Sequence, residues 1–263
     1  MPHSSTFIEQ HQPMSSHQDP RLRAIKEQEW FYEFHLPDGS KTKSCVKPSV
    51  RKIHDTREKM LCNALQASVS TTTHRASAID VACHEGYYSL ILAEYFESVT
   101  GIDKNPDSIQ KAQAISDLLA PDRIRFENIS LEAFGSASPF DFVLCYGLLY
   151  HHENPVNLIR MLATITRQTL CLETQVMPMD LVGHVEDGDY TNLRQIRGCF
   201  ALCEDYPNSS EGGMTGFALV PSKAAVTYLL KESGFSTVEF VEPEADDYEQ
   251  FTRGHRVVVV AQK

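Results

Sequence analysis

Apolar positions fall at two spacings along this chain, and the change from one to the other marks out its elements. Short runs, mostly apolar and β-branched, read as buried strands at 76–81, 98–103, 124–129, 140–145 and 169–174. Between them the apolar residues recur at helical spacing. Leu90, Ile91, Ala93, Tyr95 and Phe96 follow the first strand, Ile109, Ala112, Ile115 and Leu119 the second, and Leu158, Ile159, Leu162 and Ile165 the fourth. Asn105-Pro106 and Asn154-Pro155 each offer an N-cap and a first helical residue. Strands and helices alternating at these lengths predict an α/β fold with a parallel, doubly wound sheet. Ser222 caps a last helix that Gly234 stops. The runs 236–241 and 256–261 are two closing strands, near enough in sequence to pair antiparallel.

The first strand is preceded by a different pattern. Residues 1–20 are rich in Ser, His, Gln and Pro and are expected to be a disordered tail. Residues 21–70 read as an N-terminal cap: a helix over 22–30, a strand over 30–36, a turn at Pro37-Asp38-Gly39-Ser40 that returns Lys41 onward as a hairpin, and a helix over 53–65 with Met60, Leu61, Ala64 and Leu65 on its apolar face. Trp30 and Phe31 either pack this cap on the core or roof a ligand. The main domain spans 71–263. Within it, periodicity fails over 175–217, where glycines scatter among acidic residues; so long a stretch is expected to be a lid or binding segment on the substrate side, or disordered.

Composition narrows the classes. With 42% hydrophobic and 22% charged residues the chain is globular. A formal net charge of −11 argues against loose attraction to nucleic acid, which needs basic surface. The densest basic run, Lys41, Lys43, Lys47, Arg51, Lys52, Arg57 and Lys59, reads as solvated surface. Seven cysteines, none in a Cys-x-x-Cys pair, predict a reduced, cytoplasmic protein. No secretory leader is evident in the first twenty residues, and no apolar run reaches the ~20 residues of a membrane span.

The candidate chemistry sits where strands end. Asp80 closes the first strand and Gly86 the turn after it; Asp103, seventeen residues beyond Gly86, ends the second strand, where a carboxylate can take two ribose hydroxyls. A dinucleotide loop wants three spaced glycines, and Ala82 and His84 stand nearby instead, which weighs against a nicotinamide oxidoreductase. Asn128 and Ile129 end the third strand, and the fourth runs into Tyr146-Gly147-Leu148-Leu149-Tyr150-His151-His152. His151 and His152 are candidate bases, or one of them caps the following helix. Glu173 ends the fifth strand, orienting substrate or only finishing the strand. A zinc site from His151, His152 and Glu153 is not expected, because adjacent side chains diverge.

These residues, Asp80-Val-Ala-Cys-His-Glu-Gly86, Asp103, Asn128 and Phe140 to His152, give the chain a resemblance to the class I S-adenosylmethionine-dependent methyltransferases over about 76–263. Within that family, Tyr146 to His151 followed by Asn154-Pro155 is similar to the branch of the tRNA wobble-uridine carboxymethyltransferase. The resemblance implies a seven-stranded Rossmann-like sheet with an antiparallel last strand and S-adenosylmethionine as cofactor. It implies Asp80, Ala82 and Gly86 at the methionine moiety, Asp103 at the ribose, Asn128 and Ile129 at adenine, and Tyr146 and Gly147 beside the sulfonium, with Lys104 also among the cofactor-binding residues. His151, with Tyr150, is the expected catalytic pair. The acceptor is expected to be a small metabolite, with tRNA as the alternative. A variant using carboxy-S-adenosylmethionine would need a cation beside the methyl position, and a cofactor-binding protein without catalysis is a further alternative.

Overall fold

The computed structural model of the protein describes residues 19–71, 75–120, 122–135, 138–185, 194–205 and 215–263. The expected tail, apart from its last two residues, lies outside them. The described chain opens with α1 (Pro20–Glu27), whose first turn is capped by the Asp19 carboxylate accepting the Arg21 N–H. β1 (Glu29–Trp30) and β2 (Lys43–Ser44) are two residues each and pair in parallel. The expected hairpin is irregular: the Phe34 carbonyl accepts the Thr42 N–H and the Leu36 N–H donates to the Ser40 carbonyl, with a single antiparallel bridge between His35 and Lys41. The N–H groups of Phe31 and Tyr32 go instead to the buried carboxylate of Glu85 at 2.7 and 3.3 Å, while their carbonyls accept the Ser44 and Thr42 hydroxyls of the return segment. The helix α2 (Pro48–Thr71) runs longer than 53–65, because no Gly or Pro follows Pro48 within it. Met60, Leu61, Ala64 and Leu65 form its buried face, as the periodicity requires.

The alternating region follows as β3 (Ser77–Val81), α3 (Tyr87–Tyr95), β4 (Ser98–Asp103), α4 (Pro106–Leu119), β5 (Ile124–Asn128), the short α5 (Leu131–Phe134), β6 (Phe140–Tyr146), a 3-10 turn Leu149–His151, α6 (Pro155–Ile165) and β7 (Thr166–Gln175). Then come β8 (Val182–Val185), β9 (Arg194–Arg197), β10 (Phe200–Glu204), β11 (Phe217–Pro221), α7 (Lys223–Glu232), β12 (Thr237–Val241), α8 (Glu249–Thr252) and β13 (Arg256–Gln262). The central sheet has seven strands in the order β12-β13-β7-β6-β3-β4-β5. Only β13 breaks the parallel pattern, pairing antiparallel with both β7 and β12. Alternate residues of the central strands feed two apolar layers: Ala78, Phe142 and Leu144 pack on one face, Ile79, Val81, Val143 and Cys145 on the other. The strand order reverses between β3 and β6, so their carboxyl ends flank the crevice where ligands bind in such sheets.

One of the expectations changes here, and one of two open alternatives is decided. In place of an aperiodic stretch over 175–217, the described residues form antiparallel pairs, β8 with β9 and β10 with β11. Their pattern misleads because Phe200 and Leu202 point outward while Ala201 and Cys203 are half-buried, so β10 reads as one apolar run rather than an alternation. Trp30 is fully buried and donates its indole N–H to the Ile25 carbonyl at 2.9 Å, so it packs the N-terminal segment on the core.

Candidate functional site

The loop joining β3 to α3 departs from ordinary backbone at three positions. Ala82 and His84 have φ of 61° and 51°, the only non-glycine residues in the left-handed region among those described, and Gly86 has φ of 79°. A side chain there costs about 1–2 kcal/mol per residue. Ala82 and His84 thus store strain in the loop that glycine at these positions would not carry. At Gly86 no such tolerance exists, since a Cβ would lie 2.8 Å from the Phe126 ring. The His84 ring turns toward the N-terminal segment, 5.0 Å from Phe31 and 6.0 Å from Tyr32 between centroids.

Asp103 ties this loop to the next. One carboxylate oxygen accepts the His84 N–H at 2.9 Å and the other the Asn105 N–H at 2.8 Å, each keeping a further lone pair for a ligand. The Asn128 amide donates to the Asp103 carbonyl at 3.0 Å, as does the Ile129 N–H, so both stand directly beside Asp103. Lys104 is exposed. Asp80 is only 1% exposed and accepts the Ser89 hydroxyl at 2.6 Å; burial, only partly offset by that bond, pushes its carboxyl up to about 7. Tyr146 is buried with its phenol 3.6 Å from the Cys171 sulfur, which leaves its ring and backbone, not its hydroxyl, at the strand end.

Across the crevice the site is made of charges from distant parts of the chain. Glu173, completely buried at the end of β7, accepts Arg57 Nη2 of α2 at 3.0 Å and Arg256 Nη1 of β13 at 2.6 Å. Burial opposes its ionisation, yet the two arginines outweigh that and hold its carboxyl below the usual range. Two guanidiniums against one carboxylate leave this directly paired cluster one positive charge in excess. Tyr150 lies beside it, its hydroxyl 3.5 Å from Arg57 and its ring under Arg256 at 4.7 Å. Gly147, with φ of 77°, brings backbone against the same groups: a Cβ there would lie 3.7 Å from both Arg57 Nη2 and the Tyr150 hydroxyl.

The two histidines separate. His152 Nδ1 accepts the Asn154 N–H at 2.9 Å and Nε2 meets Glu132 at 3.1 Å, so this ring braces the start of α6. His151 Nδ1 lies 3.1 and 3.2 Å from the two oxygens of buried Asp205, just beyond β10. Burial lowers its pKa, Asp205 works in the opposite direction, and the charges of Arg256 and Arg57 lower it further.

Arg57, Arg256, Asp205 and Glu85 escape the sequence reading. Arg57 is 7% exposed, contrary to its place in a run read as solvated. The signal was its register: it falls four residues after Ile53 and four before Leu61, on the apolar face of α2. Nothing local marks Arg256 or Asp205, whose partners are 83 and 54 residues away. Beneath α2, among the described residues, both His54 ring nitrogens, Arg57 Nε and the Tyr88 hydroxyl are buried without hydrogen-bond partners. Each such group costs about 1–3 kcal/mol when left unmade, which suits a polar ligand held between α2 and the sheet.

Comparison with known proteins places this geometry. A profile described as a methyltransferase domain matches residues 73–234. The chain belongs to that family. The chain is 27% identical over 170 residues to the tRNA U34 carboxymethyltransferase of Idiomarina loihiensis, covering 62% of this chain and 46% of that one. It is 24% identical over 172 residues to the Campylobacter concisus protein of the same name, covering 64% and 52%. It thus spans about half the length of these relatives. In structure it is similar to the N-terminal domain of EvdMO1 solved with SAH and D-fucose, with a TM-score of 0.67 at 19% identity and coverage of 95% and 97%. It is also similar to the magnesium protoporphyrin IX methyltransferase of Synechocystis PCC 6803 solved with SAM, with a TM-score of 0.56 at 15% identity and coverage of 84% and 86%. These likenesses bear out the expected family and the Rossmann-like sheet. Among the described residues no helix is long and apolar enough to cross a membrane.

Proposed function

We propose that this chain transfers a methyl group from S-adenosylmethionine to an acceptor held between its N-terminal segment and the carboxyl edge of the sheet. The observation that carries the reading is the meeting of the left-handed 82–86 loop, Asp103 and Gly147 at the ends of β3, β4 and β6, where the strand order reverses. Asp103 takes the ribose hydroxyls, with Lys104 at the rim. Asn128 and Ile129 line adenine. The 82–86 loop, with Asp80 behind it, takes the methionine moiety, and Tyr146 and Gly147 flank the sulfonium. When bound, the cofactor supplies an activated methyl and a neutral leaving group. The chain's own residues align, desolvate and deprotonate the acceptor. His151 is the base and Tyr150 orients the acceptor. Residues 21–70 act as a cap and 175–217 as the acceptor-side segment of a cytoplasmic enzyme whose acceptor is a small metabolite.

A second reading has its own observation. The excess positive charge of the Arg57–Glu173–Arg256 cluster lies against Gly147, beside the proposed methyl position. Two unit cations about 6 Å apart repel by roughly 3 kcal/mol at an effective dielectric of about 20. A carboxylate on the transferred carbon converts that repulsion to attraction, which favours carboxy-S-adenosylmethionine and the tRNA wobble uridine as acceptor. Native mass spectrometry of the purified protein tests both readings. A co-purified ligand with the mass of S-adenosylmethionine or its demethylated product supports the first, and the carboxylated mass supports the second. Release of a nicotinamide dinucleotide would defeat both.

A further inference from the structure

The contact between His151 and Asp205 joins two parts of the chain that lie 54 residues apart. His151 belongs to the 3-10 turn after β6, and Asp205 follows β10 in the inserted segment. β11, the partner of β10, is already fastened beside the turn by the backbone, through the Leu219 N–H donating to the His152 carbonyl at 3.2 Å. A side-chain pair is therefore not required as a staple. Both Asp205 oxygens lie on Nδ1, and among the described residues no hydrogen bond reaches Nε2. A neutral ring that donates from Nδ1 keeps its lone pair on Nε2. Among the described residues, the other charged and titratable groups around the ring are Arg57 of α2, Arg256 of β13 and Tyr150, whose ring is tilted by 44° to the imidazole with centroids 4.2 Å apart. Glu173 of β7 lies behind the two arginines and is paired with both. The arginines disfavour a resting imidazolium, and Asp205 supports one that forms in passing.

Building on the methyltransferase reading, we infer that Asp205 is a positioning residue that holds His151 as a general base for a neutral hydroxyl, so that the acceptor atom is an alcohol or phenol oxygen. His151 Nε2 takes the hydroxyl proton as the oxygen forms its bond to the methyl carbon. The carbon–sulfur bond breaks with its electron pair left on sulfur, giving a neutral thioether, a methyl ether and an imidazolium that later returns its proton to water. A carboxylate acceptor needs no such base.

The test uses the full chain with 15N-labelled histidine, saturated with S-adenosylhomocysteine, and long-range proton–nitrogen spectra assigned with His151→Gln. The inference expects His151 to be neutral at pH 7.5, with its proton on Nδ1, and Asp205→Asn to abolish that preference. Methyl transfer to p-cresol and to the largely ionised p-nitrophenol adds a kinetic readout. Asp205→Asn should lower kcat for p-cresol by roughly 10–100-fold, with little effect on p-nitrophenol. If neither phenol is accepted, the tautomer decides. A proton on Nε2 in the wild type, or equal loss on both phenols, overturns the inference. Calorimetry separates the two failures: no binding of S-adenosylhomocysteine by the wild type would sink the methyltransferase reading itself, whereas binding with a contrary tautomer sinks only this inference.

Discussion

The two walls of the crevice are built by different means. On the cofactor side, Ala82, His84, Gly86 and Asp103 lie within 22 residues of sequence, and what shapes them is backbone: left-handed φ values and N–H groups held on one carboxylate. On the other side, Arg57, His151, Glu173, Asp205 and Arg256 come from five separate elements or their flanks, and what shapes them is paired charge in a buried setting. The first wall is a local solution of chain geometry. The second exists only once the sheet, α2 and the inserted segment have met, so its stability and its electrostatics are inseparable from the tertiary fold.

That contrast predicts where each wall breaks. Glu173→Gln should have the largest effect, because it leaves two buried guanidiniums without their counter-charge; urea denaturation should show a loss of about 3–5 kcal/mol. Next comes Asp80, which belongs to the first wall but is governed by burial. Its folded carboxyl, at about 7, lies above its unfolded value near 3.8. The folded state therefore binds the proton more tightly, and stability is highest at low pH and falls as pH rises between those two values. The full loss is as much as about 4 kcal/mol. Asp80→Asn should remove that slope, leaving the variant more stable than the wild type at pH 8 and closer to it at pH 5. A wild-type-like pH dependence in the variant would show that Asp80 is not the source. The smallest effect is at the strained loop. Ala82→Gly should raise stability by about 0.5–1 kcal/mol, the relief of left-handed strain less the added freedom of the unfolded chain. His84→Gly should gain less, because it also gives up the ring contacts with Phe31 and Tyr32.

The same contrast explains what could be read from sequence. The sheet was legible because each strand carries its own apolar run and each helix its own start, as at Asn105-Pro106 and Asn154-Pro155. The first wall was legible for the same reason: Asp80 and Asp103 stand at the carboxyl ends of their strands, and Gly86 follows the first of them at a short distance. Hydrogen bonding made by residues far apart defeats such reading. Within 30–36, the Phe31 and Tyr32 N–H groups go to Glu85, more than fifty residues on. Glu173 looked like the end of a strand because neither arginine that claims it is near in sequence. His151 and His152 are neighbours of one residue type, and only the positions of Asp205, Glu132 and the Asn154 N–H assign one to the crevice and the other to a helix start.

Asp103 is the point through which the local wall would grip an adenosyl ligand. Titration calorimetry of S-adenosylhomocysteine into the wild type and Asp103→Ala measures that grip directly. The account predicts tight binding by the wild type and loss of most of it in the variant, with circular dichroism showing the fold retained. Equal affinity in the two proteins would contradict it.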